Sequence, residues 1–421
     1  MQLAEPLGRE GRTARLHVPW GQIARTVAGL LVALIVLYLL RERPLWAMVW
    51  LFGLAFGFIL QRARFCFASS FRDLFLLRDG RVMRGVLLGM AVASVGFAFA
   101  MYNISPNIVA DRLPPDANIL PLGFHTLFAG FVFAIGMSLA GGCLSGSLYR
   151  MGEGYVASWV TMLGVLLGLL LLGHTWTPWW DLSYTRSVTV WFPRFAGWLG
   201  GVAISLGLIF LAYLLLVWWE TRGGSRPAMD WKEDEGPQPS GFRGQLGRAL
   251  RGVFVKAWPV LPAGAALGVL NTFFFFYLHP WGVTSGIYEW MSRLTGPLGI
   301  APGPLKGLSE LGGSCNVGAA PADQVLGLGH MSVLNFGMVA GSFVAASVAG
   351  EFKLRLPRQK RRFAQSLVGG VLMGYGAGLA LGCTLGAFFS GVPSLALNGW
   401  GFALGLLGGA FVGVKLIRRL G

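Results

Sequence analysis

Residues 129–146 read AGFVFAIGMSLAGGCLSG, and residues 369–386 read GGVLMGYGAGLALGCTLG. Laid over each other, they align Gly130, Gly136, Leu139, Ala140, Gly142, Cys143 and Gly146 with Gly370, Gly376, Leu379, Ala380, Gly382, Cys383 and Gly386. Glycine matches come easily in small-residue helices. A cysteine held in the same register is more informative. In both copies an apolar run stops at a Gly-Cys pair, and a short stretch follows: LSGSLYRM after Cys143, TLGAFFSG after Cys383. A membrane crossing takes about 20 mostly apolar residues. Each of these stretches is shorter, so each reads as a half-helix beyond a break.

The rest of the chain agrees with a membrane setting. Of its 421 residues 54% are hydrophobic and 12% charged, against roughly 25% charged in soluble domains. Ten apolar runs are long enough to span, at about 26–40, 44–60, 82–102, 123–141, 155–173, 195–218, 258–277, 331–350, 363–382 and 398–414. The Trp- and Pro-rich stretch 174–194 reads as an interfacial loop. With ten alternating spans and the N-terminus inside, 27 of the 34 Lys and Arg fall on the inner side. Both termini are therefore expected in the cytoplasm. The net charge of +16 is topological information and not a nucleic-acid footprint. No small-residue cleavage site follows the first run, where Arg41-Glu42-Arg43 stands, so that run reads as a retained span and not a signal peptide. The expected organisation is a cytoplasmic segment 1–25, a membrane half 26–218 with six helices, a cytoplasmic linker 219–257 and a second half 258–421 with four.

Four cysteines are present, Cys66, Cys143, Cys315 and Cys383, with no C-x-x-C pair. Zinc and thioredoxin-like chemistry have no support, and four thiols in such a chain are no disulfide scaffold. Cys66 and Cys143 approach from one side and are a possible pair. Cys66 follows the second span and Cys315 the seventh, five crossings apart. Five is odd, so the expected fold is all-α with about ten helices in two inverted repeats, whose broken or re-entrant half-helices carry the cysteines. Three sites read C-x-x-G (Gly146, Gly318, Gly386), and Ser69 takes that place after Cys66. A small residue one turn on admits close approach.

A half-helix N-terminus offers free N–H groups and positive potential, which suits an anion. A thiol there suits a soft sulfur. The candidate path is Cys66, Cys143, Cys383 and Cys315, supported by Gly142, Gly146, Gly382 and Gly386, with Arg64 and Arg150 drawing the anion. The plain alternative for any single cysteine is a small packed hydrophobe, and the Gly stripes near 404–413 read as helix packing. Arg150 equally reads as a lipid-phosphate anchor. Glu153 and Glu310 read as solvated loop carboxylates, with proton coupling as the alternative. His125, His174, His279 and His330 lie on different segments, so no metal site is expected, and no cofactor.

The pieces QRARFCFASSFRDLFLLRDGRVMRGVLLG (61–89), AGGCLSGSLYRMGEG (140–154) and LALGCTLGAFFSGVPSLALNGWGFALGLLGG (379–409) resemble the YeeE/YedE family of sulfur-transport membrane proteins. The resemblance covers most of residues 44–415. It implies an hourglass-like helical bundle in the bacterial inner membrane that passes thiosulfate inward along cysteines, with Cys66, Cys143 and Cys383 as relay thiols and Cys143 foremost. Cys315 matches less closely, as a fourth relay thiol or a vestibule residue. The resemblance also implies a small cytosolic TusA-like sulfur-carrier partner, and no such domain is fused here. The expected function is thus a permease for thiosulfate or a related sulfur anion, not an enzyme. The alternatives are a carrier of a selenium or other reduced-sulfur species, and a membrane-embedded sulfurtransferase working through a cysteine persulfide.

Overall fold

The computed structural model describes residues 20–106, 113–114, 116–222, 252–308, 311 and 328–420. The N-terminal segment up to residue 19, most of the 219–257 linker, Glu310 and Cys315 lie outside the described residues. Among the described residues the chain is all-helical, with three isolated backbone bridges and no strand.

The first half runs α1 (Trp20–Leu39), α2 (Pro44–Arg62), α3 (Phe67–Leu76), α4 (Arg81–Ile104), α5 (Phe124–Ala140), α6 (Leu144–Gly152), α7 (Val156–Leu182) and α8 (Pro193–Thr221). The second runs α9 (Val260–Tyr277), α10 (Thr284–Thr295), α11 (His330–Val348), α12 (Lys360–Leu379), a π-helical segment π1 (Thr384–Ser390) and α13 (Leu397–Leu420). Nine described helices are long and apolar enough to cross a membrane. Counting α12 and π1, bent by 47°, as one span gives ten. All ten expected spans are there. In lipid a backbone must satisfy its own hydrogen bonds, which is why apolar runs of this length are helical. α1 and α8 leave leucine, isoleucine and phenylalanine side chains exposed (Leu31, Ile35, Phe210, Leu214), which is the outer, lipid-facing surface of such a bundle.

The centre is closed by backbone meeting backbone. A Cβ on Gly136 of α5 would stand 2.6 Å from the carbonyl oxygen of Gly369 on α12. A Cβ on Gly376 would stand 2.7 Å from that of Ala129. These two contacts are the same contact with the helices exchanged, because Gly376 and Gly369 are the alignment partners of Gly136 and Ala129. The pattern extends outward. Gly130 lies on Phe402 of α13 as Gly370 lies on Thr161 of α7, and Gly405 lies on Leu127 as Gly164 lies on Leu367. Thus α5 packs on α13 and α12 on α7, while α2 packs on α11 and α9 on α4. The glycine stripes are packing surfaces, as the sequence suggests.

Two readings change. The stretch 174–194 is not simply a loop, since α7 continues through Pro178 to Leu182. Its aromatics are held by the rest of the protein: Trp176 donates to the Lys306 carbonyl (2.9 Å) and Trp179 to the Tyr375 hydroxyl (2.7 Å). Tertiary packing overrides the local breaker signal. The second change is α10, a short helix with a mixed polar sequence that a search for long apolar runs passes over.

Candidate functional site

Each described cysteine is the N-cap of a short helix. Cys66 precedes α3, Cys143 precedes α6 and Cys383 precedes π1. The same turn leads into each. Two residues before the cysteine the backbone enters the left-handed region, at Arg64 (φ 49°), Gly141 (φ 77°) and Leu381 (φ 51°). At the first and last of these a Schellman-type bond closes the preceding helix, Phe65 N–H to Leu60 O (2.9 Å) and Gly382 N–H to Ala377 O (2.8 Å). This answers why a glycine pair stands before Cys143. Gly141 turns the chain where a side chain is costly. Gly142 leaves room for a guanidinium, since a Cβ there would lie 3.1 Å from an Arg150 nitrogen.

The sulfurs face the short helices they cap. Cys143 Sγ accepts from Gly146 N–H (3.3 Å) and lies 3.3 Å from Ser145 Oγ. Cys383 Sγ accepts from Leu385 N–H (3.4 Å). Cys66 reaches the same place from α3. A Cβ built on Gly146 would stand 3.2 Å from Cys143 Sγ and 3.3 Å from Cys66 Sγ. Two sulfurs from different elements therefore converge on one bare glycine. All three thiols are free and buried. Around them the surface is aromatic: Phe67 meets Phe389 (5.2 Å between centroids) and Phe71 meets Phe388 (5.5 Å), joining α3 to π1.

The supporting residues are placed as follows. Arg150, on α6, donates to the Gly141 carbonyl (2.5 Å), and its charge acts on Cys66. A Cβ on Gly382 would lie 2.7 Å from the Ala387 nitrogen. Gly386 gives its carbonyl to buried Asn118 Nδ2 (2.5 Å). Arg64 is exposed and paired with Glu351 (3.1 Å). α10 lies against α7 as α3 lies against α13, and Val283 is the N-cap of α10; Cys315 lies outside the described residues. Sequence reasoning missed Tyr149, buried beside Arg150, and Gln61 and Glu351, which join hands near Cys66. Nothing local in the sequence marks any of the three.

The sequence profile of the family described as Sulphur transport matches residues 62–412. The chain belongs to that family. Similar relatives are the thiosulfate transporter TsuA of Spirochaeta thermophila, 30% identical over 84% of this chain and 94% of its own length, and TsuA of Escherichia coli, 28% identical over 84% and 89%. The probable transporter YedE of Escherichia coli is 33% identical over 38% of each chain. This sulphur-transport chain is a multi-pass membrane protein and not an enzyme. Among its described residues no three His, Cys, Asp or Glu side chains are grouped to hold a metal ion.

Proposed function

We propose that the protein imports thiosulfate, or a closely related sulfur anion, across the bacterial inner membrane through a constriction lined by Cys66, Cys143 and Cys383. The observation that carries this reading is the convergence of the Cys66 and Cys143 sulfurs on Gly146, where the missing side chain lets the two thiols come close. The thiols meet the soft outer sulfur of the solute. Free amides of the short helices and the Arg150 charge serve its oxygens. The exchanged glycine contacts of α5 and α12 support two repeats of opposite orientation, which put cysteine-capped half-helices at the middle of the path. Both termini are then cytoplasmic. The TsuA relatives, named for thiosulfate, support the choice of solute.

The test is growth. Cells lacking their own sulfate and thiosulfate importers, given this protein, grow on thiosulfate as sole sulfur source. With Cys143→Ala they do not, although the protein reaches the membrane in the same amount. Normal growth of that mutant would remove the central thiol from the account.

A further inference from the structure

A polar knot lies beside the paired thiols, and the transport path as drawn so far makes no use of it. Gln61 closes α2 five residues before Cys66, and Glu153 is the C-cap of α6, the helix that Cys143 begins. Gln61 Nε2 donates to Glu153 Oε1 (3.1 Å) and to Glu351 Oε2 (2.9 Å), so one amide bridges two carboxylates. Gln61 Oε1 accepts from Arg62 Nε (2.6 Å), and Arg62 also reaches Glu351 Oε2 (2.7 Å) and the Val255 carbonyl (2.9 Å). Arg64 takes the other oxygen of Glu351 (3.1 Å). The segment after α11 is latched to the one after α6, by Arg355 N–H to Gly154 O (2.8 Å) and Val156 N–H to Arg355 O (3.2 Å). Both thiol-bearing breaks are therefore tied to the same knot.

The two carboxylates differ in their company. Glu351 is engaged directly by two guanidinium groups, and these outweigh its burial to hold it below the usual carboxylate range. Glu153 meets the neutral Gln61 amide. The charged and titratable groups facing it are Arg150 and Tyr149 on its own helix, Arg62 on α2, and Glu351 and Arg355 beyond α11. Burial pushes its carboxyl up, against the hydrogen bond from Gln61 and the charges of Arg150 and Arg355. A fixed negative charge at the end of an anion path opposes the anion. Arg62 and Arg64 remove that obstacle at Glu351, and a proton removes it at Glu153.

We infer that Glu153 is a proton-binding site linked to anion passage: the anion crosses the knot while Glu153 is protonated, and a proton moves through the protein with it. This rests on the transport reading above. The proton comes from the bulk on the side the anion leaves and returns to the bulk on the other side, so no further reactant is needed.

The full chain is reconstituted in liposomes. Labelled thiosulfate flux is measured with equal pH on both sides, across a series from about 5 to about 9. A pH dye inside the vesicles reports proton movement. Wild-type flux falls at least about tenfold towards the alkaline end. E153Q fixes the neutral form, so its flux loses the pH dependence and exceeds wild type at high pH. In wild-type vesicles an inward thiosulfate gradient acidifies the lumen, a readout that needs no variant. If E153Q keeps the wild-type profile, or only scales it down at every pH, the inference is overturned. Thiosulfate flux with no proton movement overturns it too. Both results leave transport standing. No thiosulfate flux in wild type at any pH overturns the transport reading, and this inference with it.

Discussion

Gly146→Ala places one methyl group where the account needs space. Its Cβ would lie 3.2 Å from Cys143 Sγ and 3.3 Å from Cys66 Sγ, with no other atom within 4 Å beyond its chain neighbours and its own helix backbone. Both contacts are tighter than ordinary carbon–sulfur packing. The thiols have to give by only a few tenths of an ångström, so the fold survives. Alanine favours the helix over glycine by up to about 1 kcal/mol, and mild overpacking costs about 1–3 kcal/mol. The net change in stability is small. Transport is another matter, because the methyl occupies the point on which the two sulfurs converge. A single methylene-sized misfit in a binding site is worth about 1–3 kcal/mol, or roughly 10–200-fold. Thiosulfate uptake by Gly146→Ala should therefore fall at least about tenfold while expression and thermal stability in detergent stay near wild type. Labelled uptake and a melting curve on the same preparation decide it. Uptake at the wild-type rate would show that the solute does not pass between these sulfurs.

Further outcomes follow from the same geometry. Cys143→Ser should lose nearly as much uptake as Cys143→Ala, because serine keeps the size and the link to Gly146 N–H but not the soft sulfur; serine working as well as cysteine would make the site steric or polar. Arg84 and Glu220 form a buried ion pair (2.8 Å) that also holds Gly80 N–H (2.7 Å) and pins α8 to the start of α4. Removing one partner by Arg84→Ala should cost about 3–5 kcal/mol, seen as a lower unfolding temperature in detergent, and a melting curve like that of wild type would contradict this. After turnover, peptides carrying Cys66, Cys143 and Cys383 should show no gain of about 32 Da; such a gain would point to a persulfide-forming sulfurtransferase.

The breaks at Cys143 and Cys383 are legible because the sequence signals there are local: an apolar run, a glycine, a cysteine, then a stretch too short to span, twice in one register. The cause of the break is legible only in part. Gly141 announces its left-handed turn, whereas Arg64 and Leu381 make the same turn with side chains that give no such warning. The spans could be read because length and apolarity decide them. α10 could not, because TSGIYEWMSRLT is too short and too polar to stand out. Charges were the least legible part. Glu153 reads as a solvated loop residue, yet its hydrogen-bond partner comes from α2, 92 positions away. Arg64 reads as a free anion attractor, yet it answers Glu351, 287 positions away. Burial and pairing of this kind are properties of the assembled bundle.

The most direct measurement is thiosulfate flux into liposomes holding purified wild type or Cys143→Ala. The account predicts saturable flux in the first and none in the second, with both proteins folded and inserted alike. Equal flux through the two would contradict the claim that the solute travels along these thiols.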